Sequence, residues 1–421
     1  MAAAPVVWRQ RRPLVGFLGA VGISILGTRM SFLALPWFVL TTTGSATATG
    51  LVGFAQMAPY VAVQALGGPL VDRLGARRAS VVTDLVAAMA VAAAPALFAA
   101  GHLPLPALAG LVAIAGAMRG AADAARNVLV PGVGELARMP IERTSGLYDG
   151  CNRGASLIGA PIAGALVALT SPLGVLGLDA GTFVVSALLV GILVPAWAQP
   201  APPDRATRPS YVASLKAGFS YLLHDPLLLA IASMILVTNL VDQAASAVLT
   251  PVWVHQGARS SVALGLLGGA FSLGASCGNA LVIWLGPRLP RRWTYAVGFF
   301  LPGAPRFLAL LLLPSLPPVL IVFFLLALGA GGINPIIGAV EYDRVPRHLQ
   351  ARVLGAVGAT AWLGIPFGSL AGGLVVSGFG LGVALAGAAV IYGIATLTPF
   401  VFPVWRQMDR ASPAGSQAEN P

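Results

Sequence analysis

The sequence predicts an all-α membrane protein whose twelve transmembrane helices form two pseudo-symmetric six-helix bundles. Three observations lead to this fold class: the composition, the spacing of the apolar segments and the placement of the arginines. Of the 421 residues, 57% are hydrophobic and only 9% are charged. In a soluble domain about a quarter of the residues carry charge. The chain is therefore expected to be an integral membrane protein.

Twelve apolar segments follow one another along the chain. They fall at roughly residues 14–40, 48–70, 79–100, 104–128, 144–169, 173–197, 226–254, 261–286, 293–313, 317–340, 353–376 and 380–403. About 20 apolar residues in a helix are enough to cross the hydrocarbon core of a bilayer. Each segment is therefore predicted to be one transmembrane helix, and the long linker after the sixth divides them six and six.

The basic residues lie almost entirely in alternate connections between these segments. If the N-terminus is cytosolic, twenty of the 25 lysines and arginines fall in cytosolic pieces, Arg126 among them, and only Arg259 falls in an opposite loop. Cytosolic loops carry an excess of Lys and Arg, so both termini are predicted to be cytosolic. Nucleic-acid binding requires a basic soluble face, and here the charges lie between apolar segments, so no nucleic-acid partner is expected.

The chain is predicted to have five parts. These are a cytosolic N-terminus (1–13), an N-terminal six-helix bundle (14–197), a cytosolic linker (198–225), a C-terminal six-helix bundle (226–403) and a disordered cytosolic tail (404–421). In the linker, apolar residues at 211, 215, 219 and 222 share one helical face, which predicts a short amphipathic helix at the membrane interface. The two bundles show weak self-similarity, as in Arg143-x-x-Gly146 and Arg352-x-x-Gly355, which supports an internal repeat.

A short polar hinge separates the second and third predicted helices. The chain must reverse here within a few residues, so Gly68 and Gly75 are expected to adopt positive φ. Three arginines place the hinge on the cytosolic side. The charged residues of the hinge are Asp72, Arg73, Arg77 and Arg78.

The run from Gly68 to Arg78 resembles the signature of the major facilitator superfamily, in which a Gly is followed by Asp-Arg and then by Gly and basic residues. The resemblance covers nearly the whole chain. It implies a secondary transporter that works by alternating access, with substrate bound between its two halves. It also implies that Asp72 helps to latch the halves together on the cytosolic side, and that Arg77 or Arg78 pairs with Asp123 at the end of the fourth helix.

Two further stretches resemble the exporters of this superfamily. The run Arg126 to Leu136 is similar to that of its macrolide and siderophore exporters. Gly159-Ala160-Pro161-Ile162-Ala163-Gly164 resembles the Gly-Pro signature of helix 5 in its antiporters, with Ala160 inserted. The resemblance implies proton-coupled export of a bulky amphipathic molecule such as a drug, a macrolide-like metabolite or a siderophore. An importer or uniporter of a small metabolite and a transport-inactive receptor remain as alternatives.

Ionisable side chains in the predicted membrane segments are the candidates for transport, because each is costly unless it has a partner or a function. Arg29 lies near the middle of the first predicted helix and Asp242 near the middle of the seventh. The resemblance implies that both helices line the central cavity, and we predict that Arg29 and Asp242 form its principal polar pair. A carboxylate takes up a proton more readily once its cation leaves. Forming and breaking this ion pair would therefore switch the proton on Asp242, as a proton-coupled antiporter requires. A permanent structural ion pair and exposure to an aqueous cavity are the alternative interpretations.

Other polar residues of the membrane segments are candidates for the same cavity. Asn239 and Gln243 flank Asp242, and Arg119 is placed to hold an anionic substrate or Asp242 itself. Asn334 is placed to hydrogen-bond substrate, although Asn-Pro equally predicts a kink. Spacing of four predicts a local ion pair between Asp149 and Arg153, and Asp179 and Arg306 stay unassigned.

The sequence contains no pattern for catalysis, metal binding or a cofactor. A phosphate-binding loop requires Gly-Lys, and the single lysine, Lys216, follows Leu215, so ATP-driven transport is not expected. Cys151 and Cys277 are far apart, and no His-Glu-x-x-His or Gly-x-Ser-x-Gly motif occurs. We therefore expect no enzyme, no metal and no cofactor. The expected partners are a small-molecule substrate and the lipid of the plasma (inner) membrane, with the chain acting as a monomer that uses a proton gradient.

Overall fold

The computed structural model describes residues 4–196, 211–258, 260–285 and 289–409. In these residues the regular structure is entirely helical, and no β-strand occurs among them. Ten helices of the described chain are long and apolar enough to cross a membrane. The predicted all-α membrane class is therefore confirmed. The predicted disordered tail starts instead with the 3-10 turn Pro403–Met408, which is ordered because Trp405 and Met408 are buried. The tail beyond residue 409 and the linker before residue 211 lie outside the described residues, as does Arg259.

The helices are numbered in chain order. They are α1 (Ala4–Thr43), α2 (Ala46–Leu66), α3 (Gly68–Leu74), α4 (Ala76–Ala99), α5 (Leu105–Leu136), α6 (Ile141–Leu169), α7 (Pro172–Leu193), α8 (Tyr211–His224), α9 (Pro226–Ala244), α10 (Thr250–Gln256), α11 (Ser261–Leu285), α12 (Arg291–Phe300), α13 (Ala304–Leu312), α14 (Leu316–Ala327), α15 (Ile333–Arg344) and α16 (Gln350–Val401). A π-helical turn, Ala245–Leu249, joins α9 to α10, and the 3-10 turn Leu328–Gly332 joins α14 to α15.

The chain divides into two compact units, which are described separately. Unit 1 comprises Met1–Arg205 and Thr250–Gly269, and unit 2 comprises Ala206–Leu249 and Ala270–Pro421. Unit 1 thus includes Thr250–Gly269, which come from the predicted seventh and eighth helices.

In unit 1, α1 packs against α6 and α7, α2 against α5, and α4 against α5 and α7. The backbones of α2 and α5 approach each other closely at Gly116. A Cβ atom there would lie only 2.1 Å from the carbonyl oxygen of Gln56. Small residues at such crossings let membrane helices approach closely. Fully buried Phe17 and Leu129 belong to an apolar cluster of this unit. This packing fixes the rotation of the helices that carry the charged residues of unit 1.

In unit 2, α9 packs along α16 through a similar seam of glycines. A Cβ atom at Gly368 would lie 2.0 Å from the carbonyl oxygen of Leu240. The long α16 is interrupted at Gly380, whose φ of 85° and ψ of 164° are not helical. Such a conformation is essentially restricted to glycine. Two helical segments therefore meet at this residue.

The predicted amphipathic helix of the linker occupies Tyr211–His224 as α8, which packs against α16 in unit 2. Leu222 on its apolar face is 1% exposed. Asp225 follows directly and caps α9, because its Oδ1 accepts hydrogen bonds at 3.0 Å from the backbone N–H groups of Leu227 and Leu228. Burial raises the pKa of the Tyr221 hydroxyl, whose O–H donates to the carbonyl oxygen of Arg344 at 3.0 Å.

The predicted hinge is a short helix, α3, rather than an irregular turn. Gly75 ends it with a φ of 80°, as predicted. The prediction for Gly68 is wrong, since it begins the helix with Pro69 beside it, and proline favours the first turn of a helix. The side chain of Asp72 lies outside the described residues, so the latch assigned to it stays a prediction. Arg73 is exposed.

The fourth predicted helix is longer than expected, since α5 continues to Leu136. Asp123 therefore lies in the interior of a helix and not at its end. Arg126, which we counted as cytosolic, also lies inside α5 and is only 2% exposed. A buried partner stabilises this charge inside the helix.

Candidate functional site

Two clusters of charged and aromatic side chains occupy the membrane segments, one in each unit. We name them the Asp242 cluster, built on α9, α13 and α16 of unit 2, and the Arg119 cluster, built on α1, α2, α5 and α6 of unit 1. Each brings together residues that are far apart in sequence.

An ion pair between Asp242 and Arg306 forms the centre of the Asp242 cluster. Arg306 Nη2 donates to Asp242 Oδ1, and the Tyr392 hydroxyl donates to Asp242 Oδ2 at 3.5 Å. The Asp242 side chain is 40% exposed, whereas that of Arg306 is 12% exposed. The carboxylate side chain is thus less enclosed by protein than its cation. The predicted partner was Arg29, and the partner that the structure provides is Arg306, a residue that we left unassigned.

Aromatic rings and a glycine hold Arg306 in place. Its guanidinium carbon lies 4.6 Å from the ring centroid of Phe307 and 5.4 Å from that of Phe271, distances at which the ring faces attract a cation. The helix is interrupted between α12 and α13. A Cβ atom at Gly303, within this interruption, would lie 2.0 Å from Tyr392 Cε1. Glycine at this break therefore makes room for Tyr392 beside the ion pair.

The predicted amides on α9 hydrogen-bond to α16. Asn239 Nδ2 donates to the carbonyl oxygen of Ala361 at 2.9 Å, and Gln243 Nε2 donates to Ser369 Oγ at 3.1 Å. Both side chains fasten the helix that presents Asp242. Asn334 is exposed at the start of α15, immediately after a 3-10 turn that interrupts the helix.

Two arginines of the Arg119 cluster flank one aromatic ring. The guanidinium carbon of Arg119 lies 5.1 Å from the Phe32 centroid, and that of Arg29 lies 6.0 Å from it. Arg29 Nε donates to Ser156 Oγ at 3.1 Å. A Cβ atom at Gly159 would lie 2.6 Å from Arg29 Cβ. The predicted antiporter-like motif thus contributes the glycine against which the stem of Arg29 packs.

Asp123 has partners other than the predicted Arg77 and Arg78. Its Oδ2 accepts from the Tyr60 hydroxyl at 3.1 Å, and its Oδ1 lies 3.6 Å from Arg126 Nη1. Arg77 donates instead to the carbonyl oxygen of Gly191, in the last turn of α7. A cation is favourable there because the C-terminal end of a helix carries partial negative charge. The prediction was wrong because α5 extends well beyond Asp123.

A buried ion pair in unit 1, Asp84 with Arg126, was missed at the sequence level. Arg126 Nη2 donates to both carboxylate oxygens of Asp84 at 2.8 Å, and also to Ser24 Oγ at 3.1 Å and Ser186 Oγ at 3.0 Å. The network joins α1, α4, α5 and α7. The signal was available, since Asp84 is an acid within the third predicted apolar segment.

Asp179 lines a pocket inside unit 1, although the sequence left it unassigned. It is 2% exposed, and it accepts hydrogen bonds from Ser31 Oγ and, at 3.2 Å, from Thr182 Oγ1. The other polar and aromatic residues of the same pocket are Ser31, Gln56, Tyr60, Arg119 and Phe183. Among the residues described, no group of three or more His, Cys, Asp or Glu is placed to hold a metal ion.

The remaining residues of the antiporter-like motif pack against the start of α11, which belongs to unit 1. A Cβ atom at Gly164 would lie 2.7 Å from the carbonyl oxygen of Ser261, and one at Gly269 would lie 2.6 Å from Pro161 Cγ. Ser261 Oγ donates to the carbonyl oxygen of Gly164 at 3.2 Å. The motif therefore forms a close helix contact.

The ion pair predicted between Asp149 and Arg153 on α6 is confirmed. Arg153 Nη2 lies 3.7 Å from Asp149 Oδ2, and both side chains are more than half exposed. Spacing of four on a helix was sufficient to predict this contact.

The family follows from comparison with known proteins. A family model described as Major Facilitator Superfamily matches residues 17–259 and 235–421. The chain belongs to the major facilitator superfamily. This agrees with the resemblance of the hinge, and it makes a transporter, rather than an enzyme, the class to which the chain is assigned.

Relatives and solved structures match the chain over nearly its full length. "Multidrug efflux pump Tap" of Mycolicibacterium fortuitum is 26% identical over 96% of this chain and 98% of its own. The protein of the same name from Mycobacterium tuberculosis is 28% identical over 96% of each chain.

Among solved structures, a bacterial homologue of the human lysosomal transporter Spinster has a TM-score of 0.74 at 13% identity, covering 96% of this chain and 99% of its own. The nucleoside transporter NupG has a TM-score of 0.69 at 17% identity, covering 93% and 99%. At these identities the structures establish the fold of this superfamily member.

Proposed function

We propose that this chain is a secondary active transporter of the plasma membrane that exports drug-like amphipathic molecules by alternating access, with protons as the coupling ion. Two findings support export. The chain belongs to the major facilitator superfamily, and it is similar over 96% of its length to proteins named multidrug efflux pump. These relatives make export a better-supported direction than import.

The observation that carries proton coupling is the ion pair between Asp242 and Arg306. A carboxylate in a membrane segment needs a nearby cation to remain charged. Asp242 is 40% exposed and Arg306 is enclosed, so a proton can reach the carboxylate while the arginine stays in its aromatic surroundings. Protonation of Asp242 would remove the charge that holds Arg306. The proposed step is thus an exchange between an Arg306-paired and a protonated Asp242.

The first test is a drug screen followed by a flux measurement. Cells with and without the chain are compared for resistance to a panel of drugs, and each hit is then followed in inverted membrane vesicles. Drug accumulation should stop when a protonophore collapses the proton gradient. Accumulation that continues unchanged after collapse would contradict proton coupling.

The second test is the variant Asp242→Asn. Because an amide cannot take up the coupling proton, gradient-driven accumulation should fall by about tenfold or more, while exchange of drug without a gradient persists. Asp149→Asn is the matched control, since Asp149 is an exposed acid with an arginine partner, and it should transport at the normal rate. Full coupled transport by Asp242→Asn would remove the role assigned to this residue.

We also propose twelve membrane crossings with both termini in the cytosol. Besides the ten long helices of the described chain, two features support this count. The helix α2 has 21 residues, enough to cross a bilayer, and Gly380 divides the 52 residues of α16 into two segments. The excess of arginine in alternate connections supports the orientation.

A further inference from the structure

Arg29 and Arg119 are cations in membrane-spanning helices without an acidic partner. Within the described part of the chain, neither guanidinium has a carboxylate oxygen within 4.0 Å. Arg29 forms one hydrogen bond, through Nε, to the neutral Ser156. Ionisable residues in membrane segments pair with one another or mark a substrate pathway. Two unpaired arginines beside each other therefore need an explanation.

The acids of this neighbourhood are already engaged. Asp123 accepts from Tyr60 and lies 3.6 Å from Arg126. Asp179, which shares a pocket with Arg119, accepts hydrogen bonds from Ser31 and Thr182. Neither acid is close enough to form an ion pair with Arg29 or Arg119.

Both arginines approach the same ring. Their guanidinium carbons lie 6.0 Å and 5.1 Å from the Phe32 centroid, and that of Arg119 also lies 6.0 Å from the Tyr60 centroid. Two like charges repel strongly where the dielectric constant is low, and an anion bound by both would relieve that repulsion. Arg29 is exposed and Arg119 is half-buried, so neither side chain is fully enclosed by protein.

We infer that Arg29 and Arg119 bind the acidic group of an amphipathic substrate whose aromatic part packs beside Phe32 and Tyr60. The guanidinium fork matches a carboxylate or a phosphate, and charge-assisted hydrogen bonds of this kind are stronger than neutral ones. This inference rests on the proposed export function and names the chemical class of its cargo. Gly159 and Ser156 of α6 act as positioning residues, because they hold the stem and Nε of Arg29.

The test uses three probes with the same aromatic body: pyrenebutyrate, pyrenebutanol and pyrenebutylamine. Their fluorescence reports binding to the full chain in phosphatidylcholine nanodiscs, with empty nanodiscs as background. Pyrenebutyrate should bind about tenfold more tightly than pyrenebutanol, as expected for hydrogen bonds to a charged group. Equal affinities, or tightest binding of pyrenebutylamine, would overturn the inference.

Variants assign the preference to the two arginines. Arg29→Gln and Arg119→Gln should each weaken pyrenebutyrate binding about tenfold and leave pyrenebutanol binding unchanged, which a general loss of structure would not do. Arg153→Gln is the matched control, since Arg153 is an exposed arginine of the same unit, and it should keep the full preference. A preference for the acid that survives in both variants would overturn the assignment.

One further measurement distinguishes a substrate site from a lipid site. Nanodiscs containing phosphatidylglycerol test whether a lipid headgroup is the natural anion: unchanged pyrenebutyrate affinity supports a substrate site, and lost affinity assigns the site to lipid and overturns it. Binding is measured without a proton gradient. If pyrenebutyrate shows no preferential binding, the proposal of proton-driven drug export still stands. If export is not driven by protons, the binding preference for the acid still stands.

Discussion

Asp84 and Arg126 differ from Asp149 and Arg153 in the surroundings of the charges. The two side chains of the first pair are 1% and 3% exposed, and Ser186 Oγ also donates to Asp84 Oδ2 at 2.8 Å. The two side chains of the second pair are 67% and 51% exposed. A buried pair whose partners are fixed becomes costly when one member is removed, whereas an exposed pair contributes little. The same residue types therefore have different consequences.

Asp84→Ala is predicted to destabilise unit 1 by about 3–5 kcal/mol, because it leaves Arg126 buried without its counter-charge. Thermal unfolding in one detergent measures the effect. Asp149→Ala is the matched control and should change stability by at most about 1 kcal/mol. The double variant Asp84→Leu with Arg126→Met should recover much of the loss. Equal unfolding temperatures for Asp84→Ala and Asp149→Ala would contradict this account.

At the scale of elements, glycines decide where helices cross. In unit 2, α11 meets the 3-10 turn Leu328–Gly332 with almost no space between backbones. A Cβ atom at Gly278 would lie 1.9 Å from the carbonyl oxygen of Leu328, and one at Gly331 would lie 1.9 Å from the backbone nitrogen of Asn279. No side chain fits there without moving a helix.

Gly278→Ala should therefore lower the unfolding temperature, because the added methyl group meets backbone atoms that cannot move away without separating the two elements. Gly338→Ala provides the control, since a Cβ atom there meets nothing within 4 Å. In that open helical position alanine should stabilise by about 0.5–1 kcal/mol. Effects of the same sign at both positions would be inconsistent with a steric cause.

The break at Gly380 leads to a separate prediction for α16. Its φ of 85° and ψ of 164° cost other residues about 1–3 kcal/mol, so Gly380→Ala should destabilise unit 2 by that amount. Gly387→Ala, in the helix that follows, meets nothing within 4 Å and should be neutral or stabilising. Thermal unfolding of the two variants, compared with the parent chain, checks this. A neutral Gly380→Ala would show that the break does not require glycine.

At the scale of the whole molecule, ten and twelve crossings both place the two termini on the same side of the membrane, so the location of the termini does not distinguish these counts. Residues next to α2, and residues next to or within α16, distinguish ten crossings from twelve. In a chain with Cys151→Ser and Cys277→Ser, single cysteines replace exposed residues on either side of α2 and on either side of the segment of α16 that precedes Gly380. These variants are Thr43→Cys, Arg73→Cys, His348→Cys and Phe379→Cys.

A membrane-impermeant maleimide should label Thr43→Cys and Phe379→Cys from outside intact cells. Arg73→Cys and His348→Cys should react only after permeabilisation, because basic connections face the cytosol. If Thr43→Cys and Arg73→Cys react from the same side, α2 does not cross the membrane. The same result for His348→Cys and Phe379→Cys would show that α16 does not cross twice.

Features that depend on composition or on near neighbours could be predicted from the sequence. The membrane class follows from the apolar fraction, and the superfamily follows from the short signature at the hinge. The pair of Asp149 and Arg153 follows from the pitch of a helix. Gly75 was correctly predicted to have positive φ, because a tight junction between helices favours glycine.

Which charges meet was decided only by the tertiary structure. Asp242 was predicted to matter, but its partner Arg306 lies 64 residues away on another helix. Asp123 was given the wrong partners, and Asp84 was overlooked. The reason is physical: membrane helices are apolar on nearly all sides, so hydropathy does not indicate which face meets a neighbour. The rotation of each helix, set by contacts such as those of Gly116 and Gly368, determines which charged side chains come together.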